Sequence, residues 1–225
     1  MTSGKFLIIP DVHGRTFWKC AKDNIDKFDK IIFLGDYLDP YSEEGINFDE
    51  ALNNFLEILE FKKENKDKVI LLKGNHDMHY VDLNFMDCSR LNYAKRDEVH
   101  NIFEENKELF SLIYKYEDIL FSHAGIYKDW MNFYGLTLED LLSPNFYSKS
   151  ALEACSIFRG GNAFVGSCIW ADIRETFHQD LIEGYFQVVG HTQLQSNPYI
   201  TPDIACLDVR RPFVLDVNTK KITEF

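Results

Sequence analysis

Five times along this chain a short apolar run ends in a loop that carries Asp, Asn or His, usually beside a glycine. The loops are Asp11-x-His13-Gly14, Gly35-Asp36-x-x-Asp39, Gly74-Asn75-His76-Asp77, His123-Ala124-Gly125 and Gly190-His191. Four of the seven histidines (His13, His76, His123 and His191) fall in them, whereas His79, His100 and His178 do not. One Asp-x-His or Gly-Asp alone is ordinary turn chemistry. Five alike at the ends of apolar runs are not explained that way. In open α/β sheets, ligands and chemistry collect at the carboxyl ends of the strands, so the five loops are expected to converge.

The spacing between the loops selects the architecture. Residues 5–9, 30–34 and 69–72 read as strands. Between them, residues 16–28 carry Phe17, Trp18, Cys20, Ala21, Ile25 and Phe28 at helical spacing. The stretch 49–66 places Ala51, Leu52, Phe55, Leu56 and Leu59 on one helix face with charges opposite. This β-α-β-α-β order predicts a parallel sheet with right-handed crossovers. Residues 40–47 read as an exposed loop, 78–94 as an irregular lid-like segment and 95–108 as a helix. An antiparallel pair is expected at 112–116 and 119–122, turning at Glu117-Asp118. Helical pieces broken by Gly135 and Pro144 follow over 126–160, then strands at 165–170 and 185–189. Three closing strands at 204–209, 212–217 and 221–225 suggest a second sheet packed on the first, flanked by helices in layers. No repeat, linker or low-complexity tract is visible, and one domain over 1–225 is expected.

Composition narrows the function classes. At 225 residues, 45% hydrophobic and 27% charged, the chain can bury a sizeable core. Its five cysteines (Cys20, Cys88, Cys155, Cys168, Cys206) form no Cys-x-x-Cys pair, which predicts thiols in a reducing compartment rather than a zinc ribbon or disulfide framework. Lys5 is followed by only four apolar residues before Pro10, too few for a signal peptide or a membrane span. A cytoplasmic protein with no membrane partner is expected. The net charge of -12 disfavours nucleic acid as a partner. It does not exclude a phosphorylated substrate, because bound divalent cations reverse the local sign.

Asp, His and Asn offer oxygen and imidazole nitrogen without thiolate, a set that suits Mn, Fe or Zn in a reactive site more than a structural zinc. There are too many donors for one ion. A carboxylate between two ions can bridge them at the ~3.5–4 Å spacing of two-metal hydrolytic sites, and Asp36 is the expected bridge.

Taken in order, the five motifs from Asp11 to His191 resemble the calcineurin-like metallophosphoesterases. Gly35-Asp36-Tyr37-Leu38-Asp39, Ser122-His123-Ala124-Gly125 and Gly190-His191-Thr192 are similar to the phosphoprotein phosphatase branch. Ala205-Cys206-Leu207-Asp208 resembles a late strand motif of that branch and of diadenosine tetraphosphatases. The resemblance implies an α/β fold, a four-layer αββα sandwich of two mixed sheets, with two divalent or trivalent metal ions at the strand ends. By the same resemblance Asp11 and His13 would bind the first metal, Asp36 would bridge, and Asn75, His123 and His191 would complete the second. His76 would be the general acid, with Asp39 orienting it and raising its pKa. The implied reaction is hydrolysis of a phosphomonoester, on a protein or a small molecule, by in-line attack of a metal-bridging hydroxide. A dinucleoside polyphosphate and a phosphodiester are the alternative substrates. A binding scaffold of the same fold is the non-enzyme alternative, but it would be expected to have lost ligands, and all six are present.

Two departures stand out. Phosphoprotein phosphatases usually follow the second acid with an arginine that grips phosphate, and here Pro40-Tyr41 follows Asp39. Arg174, in Trp170-Ala171-Asp172-Ile173-Arg174, is the preferred replacement, ahead of Arg15 and of Arg159 beside Gly160-Gly161. Gln193 stands where many metallophosphoesterases carry a further histidine. Asp77 is expected to be structural and His79 to be a loop histidine without a role.

Overall fold

The computed structural model describes residues 4–225, so the expected span 1–225 begins three residues before the described chain. Eleven strands among these residues form two sheets: β1 (Lys5–Ile9), β2 (Lys30–Phe33), β3 (Val69–Leu72), β4 (Phe110–Ser111), β5 (Ile113–Tyr116), β6 (Ile119–Ser122), β7 (Phe186–Val189), β8 (Tyr199–Ile200), β9 (Ile204–Cys206), β10 (Phe213–Asp216) and β11 (Lys221–Glu224). The first sheet runs β11-β10-β1-β2-β3-β4 and the second β5-β6-β7-β9-β8. β1, β2 and β3 are parallel, as the crossovers predict, and the short β4, not expected from the sequence, adds parallel to β3. In the second sheet β6, β7 and β9 are parallel, with antiparallel strands at both edges.

The central strands read as unbroken apolar runs because both of their faces are covered. Along β1, Phe6 and Ile8 point between the sheets, where they meet Phe121, Val188 and Leu215. Leu7 and Ile9 point the other way, beneath α2 (Phe48–Glu64) and α4 (Arg96–Glu105), and pack with Phe55, Ile58 and Phe103. On the outer face of the second sheet, Leu120 packs with Trp130 of α5 (Lys128–Tyr134), Leu141 of α6 (Leu138–Leu142) and Leu152 of α7 (Lys149–Leu152). The result is four layers, helix on sheet on sheet on helix.

Local chemistry sets the helix boundaries. Asn47 and Glu50 form a reciprocal capping box at the start of α2, each side chain accepting the other's backbone N–H at 2.9 Å. The helix expected over 16–28 breaks into 3-10 turns around one short α turn, α1 (Cys20–Asp23). Asn24 ends it by turning its side-chain amide onto the Cys20 carbonyl at 2.8 Å, a local bond that competes with the helical ladder. The lid-like segment is helical where it begins, as α3 (Asn75–Val81), and irregular thereafter. Residues 165–170 are not a strand: the Gly166 N–H donates to Glu175 and the Cys168 carbonyl accepts from Ala124 N, which leaves no ladder. The closing strands divide. β9 joins the second sheet, whereas β10 pairs antiparallel with the free edge of β1, so the C-terminal hairpin extends the first sheet. Loop 40–47 is less exposed than expected, because Glu44 turns inward to pair with Arg15 at 2.7 Å and Arg210 at 3.0 Å.

Candidate metal centre

The carboxyl ends of β1, β2, β3, β6 and β7 open onto one place. Asp36 and His76 meet there directly, the His76 N–H donating to Asp36 Oδ1 at 2.9 Å. The His191 N–H donates to Asp11 Oδ1 at 2.9 Å and so joins the two sheets at the site. Asp77 accepts from the backbone N–H groups of Asp36 at 2.8 Å, Tyr37 at 3.0 Å and Gly74 at 2.7 Å, clamping the ends of β2 and β3 together. That is the structural role expected of it. The glycines permit the close approach: a Cβ on Gly74 would collide with Asp36 Oδ1, and one on Gly190 with Asp11 Oδ1. His13, Asp36, Asp39 and His191 all hold left-handed backbone, with φ between 44° and 63°. Asp and His tolerate this region better than most residues, and such strain collects where side chains must be aimed.

Two buried groups of donors share Asp36. One is Asp11, His13 and Asp36; the other is Asp36, His123 and His191. Asp36 Oδ2 is common to both, 3.5 Å from His13 Nε2 and 3.4 Å from His123 Nε2. Asn75 Oδ1 and His191 Nδ1 each lie 3.0 Å from His123 Nε2.

The sequence model of the calcineurin-like phosphoesterase family matches residues 4–192. This chain belongs to the calcineurin-like phosphoesterases. A cold-active protein-tyrosine phosphatase of a psychrophilic Shewanella species superposes on 98% of the chain and 80% of its own, at a TM-score of 0.60 and 18% identity. A protein serine/threonine phosphatase from Saccharomyces cerevisiae covers 90% of the chain and 66% of its own, at a TM-score of 0.57 and 15% identity. At such identities the likeness is one of fold. No curated protein sequence gives a significant match.

Calcineurin-like phosphoesterases use divalent metal ions, and the donors of this phosphoesterase can be tested against such ions. Two donors bound at ~2.0–2.2 Å to one ion lie about 3.0–3.4 Å apart. The separations around His123 Nε2 are 3.0, 3.0 and 3.4 Å. The ring tautomers agree. His13 Nδ1 lies 2.7 Å from the Leu38 carbonyl and His123 Nδ1 2.8 Å from the Leu34 carbonyl. A carbonyl only accepts, so both Nδ1 atoms carry hydrogen and both neutral rings turn a bare Nε2 toward Asp36. A lone pair facing a carboxylate is repulsive unless a cation stands between them. Without one, a proton must serve: burial disfavours it, but Asp36 and Asp11 outweigh burial and push His123 up to about 10. His13 stays neutral, since burial draws it down to about 3.

A third group, Asp39, His76 and His79, differs in kind. Asp39 Oδ2 is 2.7 Å from His76 Nδ1 and 2.9 Å from His79 Nε2, the first a hydrogen-bond spacing well below that of two donors on one ion. Asp39 Oδ1 accepts from Tyr80 Oη at 2.6 Å. His79 Nδ1 accepts from Cys88 N at 3.1 Å, so its hydrogen is on Nε2, close to Asp39 but off the axis of a good bond. Burial alone would raise Asp39; the hydrogen bond from His76 and the adjacent His79 N–H outweigh it and hold it below the ordinary carboxylate range. His79 is thus a fully buried helical residue and not a loop histidine.

The three arginines expected at the substrate are differently placed. Arg15 grips Glu44 with two bonds, at 2.7 and 2.8 Å, and reaches the Asp11 carbonyl at 3.2 Å. Arg159 lies 3.7 Å from Asp172 and helps, after burial, to hold His191 well below its ordinary pKa. Arg174 chelates both oxygens of Asp172, at 2.7 and 3.0 Å, and donates to the Phe158 carbonyl, contacts that lie outside the donor groups. The reading of the sequence missed three neighbours of Asp39: His79, Tyr80 and Arg90. His79 and Tyr80 follow Asn75-His76 on one helix and could have been found by helical spacing. Arg90 carries no sequence signal.

Proposed function

We propose that this phosphoesterase is a dinuclear metal-dependent phosphatase acting on phosphomonoesters. One observation carries the proposal: the Nε2 atoms of His13 and His123 both turn toward the single carboxylate of Asp36, with Asn75 Oδ1 3.0 Å from His123 Nε2, an arrangement that bound cations would stabilise. In this reading Asp11 and His13 would hold one ion, Asn75, His123 and His191 would hold the other, and Asp36 would serve both. When bound, such a pair polarises phosphoryl oxygens and supplies the hydrolytic nucleophile at neutral pH.

The remaining work falls to the chain. His76, with Nδ1 on Asp39, turns Nε2 outward, where it can protonate the departing alkoxide. Asp39 keeps that ring in one orientation. Gly74 and Gly190, lacking a Cβ, leave room for the Asp36 and Asp11 carboxylates against the strand ends. The five free thiols fit the reducing compartment expected from the sequence, so we assign the protein to the cytoplasm. Among the described residues no helix is long and apolar enough to cross a membrane.

The test is a panel of Mn, Fe and Zn against p-nitrophenyl phosphate, its bis-ester and diadenosine tetraphosphate, with metal content measured on the same preparations. Metal-stimulated hydrolysis of the monoester above the other two is expected, and Asp36→Asn should abolish it and lower metal content at both sites. Preference for the bis-ester or the dinucleotide would overturn the substrate class. A protein that binds no metal and hydrolyses none of the three would be a binding scaffold.

A further inference from the structure

The chain has seven arginines, and six lie within ion-pair range of a carboxylate: Arg15 and Arg210 on Glu44, Arg96 on Asp87, Arg159 and Arg174 on Asp172, and Arg211 on Glu224. Arg90 is the exception. It stands in the irregular stretch after α3, half-buried, with left-handed backbone at φ 66°, a conformation that a long side chain seldom adopts. Three contacts fix its guanidinium. The plane lies 3.8 Å from the Tyr41 ring centre, Nε donates to the Asp39 carbonyl at 2.9 Å, and Nη1 reaches Ser89 Oγ at 3.3 Å. The Asp39 carboxylate is close by but is taken up by His76, His79 and Tyr80, so it offers Arg90 only its main-chain oxygen. The remaining edge of the fork points into the site, with Nη2 3.4 Å from His76 Nε2. The rings of Tyr41 and His76 each stand 5.1 Å from that of His13, so Arg90 overlooks the metal loops and the outward nitrogen of His76 together.

An unpaired guanidinium held rigid beside a catalytic imidazole is built to receive an anion. We propose that Arg90 is the substrate-gripping residue, binding non-bridging phosphoryl oxygens of the ester beside His76. The proposal rests on the phosphomonoester reading and deepens it. When phosphate enters, Nη2 exchanges the weak contact with His76 Nε2 for a charge-assisted bond to oxygen. His76 Nε2 is then free to face the leaving-group oxygen. The ester is oriented by the pair, with its phosphoryl oxygens on Arg90 and its leaving group on His76. A monoester, with more free oxygens and more charge than a diester, depends more on this contact.

Arg90→Ala and Arg90→Lys in the full chain test it. Inorganic phosphate binding is measured by calorimetry at fixed Mn, and kcat and KM are measured separately for p-nitrophenyl phosphate and its bis-ester. Losing a charged hydrogen-bonding partner should raise the phosphate Kd and the monoester KM by about 10- to 100-fold. The bis-ester should suffer less, the lysine variant should recover part of the loss, and metal content should be unchanged. A phosphate Kd within twofold of wild type, with only kcat reduced, would overturn the proposal and leave Arg90 as a prop for Asp39. Should Arg90→Ala fail to fold, Arg90→Lys carries the same comparison. Wild-type protein inert toward both esters would defeat the phosphatase reading, whereas the phosphate titration would still decide Arg90.

Discussion

Gly74→Ala tests the placement of Asp36 together with that of His123, whose ring the same methyl meets. Gly74 precedes α3 with φ -98° and ψ 179°, a backbone that alanine adopts without strain, so the substitution acts through its methyl group alone. That methyl would overlap Asp36 Oδ1 and stand 2.8 Å from Asp36 Cγ and 2.7 Å from His123 Cε1. Real Cβ contacts essentially never fall below 3.0 Å. The shared carboxylate must therefore retreat by about 1 Å, a displacement that typically costs about 10²-fold in rate. Retreat is resisted, because the same Oδ1 accepts the His76 N–H. Overpacking of this kind costs about 1–3 kcal/mol of stability, seen as a lower melting temperature. Metal content and p-nitrophenyl phosphate turnover are then measured on the folded variant. Both should fall, and metal content should fall at both sites, since one oxygen serves both donor groups. Gly45→Ala is the control: its methyl meets nothing within 4 Å, so it carries only the left-handed backbone penalty, about 1 kcal/mol. A Gly74→Ala protein with full metal content and wild-type turnover would refute the shared role of Asp36.

Two further outcomes follow from the same geometry. His76→Asn should retain metal yet lose about 10²- to 10⁴-fold in kcat on esters with poor leaving groups, such as phenyl phosphate; equal loss on activated aryl esters would remove the general acid from His76. The second concerns protons. Burial lowers His123, but Asp36 and Asp11 prevail and push it up to about 10 in the metal-free protein, against about 6.5 when unfolded. The folded state then binds the extra proton between those values, so stability is full below about pH 6.5 and declines as pH rises toward about 10. Metal-stripped protein should melt at a lower temperature at pH 9 than at pH 7, while metal affinity should climb over the same range because binding displaces that proton. Melting temperatures that do not change across this window would place the proton elsewhere.

Much of the site could be read directly from the chain. Asp11, His13, Asp36, Asn75, His123 and His191 stand at strand ends, and a parallel sheet must bring its carboxyl ends to one side. The unbroken apolar run Phe6-Leu7-Ile8-Ile9 accords with layers on both faces of β1. Errors arose where local bonds override periodicity. The Asn24 side chain cuts a helix short, and the N–H of Gly166 turns to Glu175 instead of a neighbouring strand.

What the sequence by itself determined is which residues end each strand, because order and spacing alone place them there. Only the tertiary structure decided which of them share an atom and which arginine, among the described residues, has no carboxylate in ion-pair range. That Asp36 Oδ2 faces both His13 and His123 depends on the pairing of β1 with β2 and on the packing of the two sheets. That Arg90 packs on Tyr41 with no carboxylate in ion-pair range, while Arg174 chelates Asp172, depends on where Asp172 and Tyr41 come to rest. Charges far apart in sequence are neutralised by neighbours that only folding supplies.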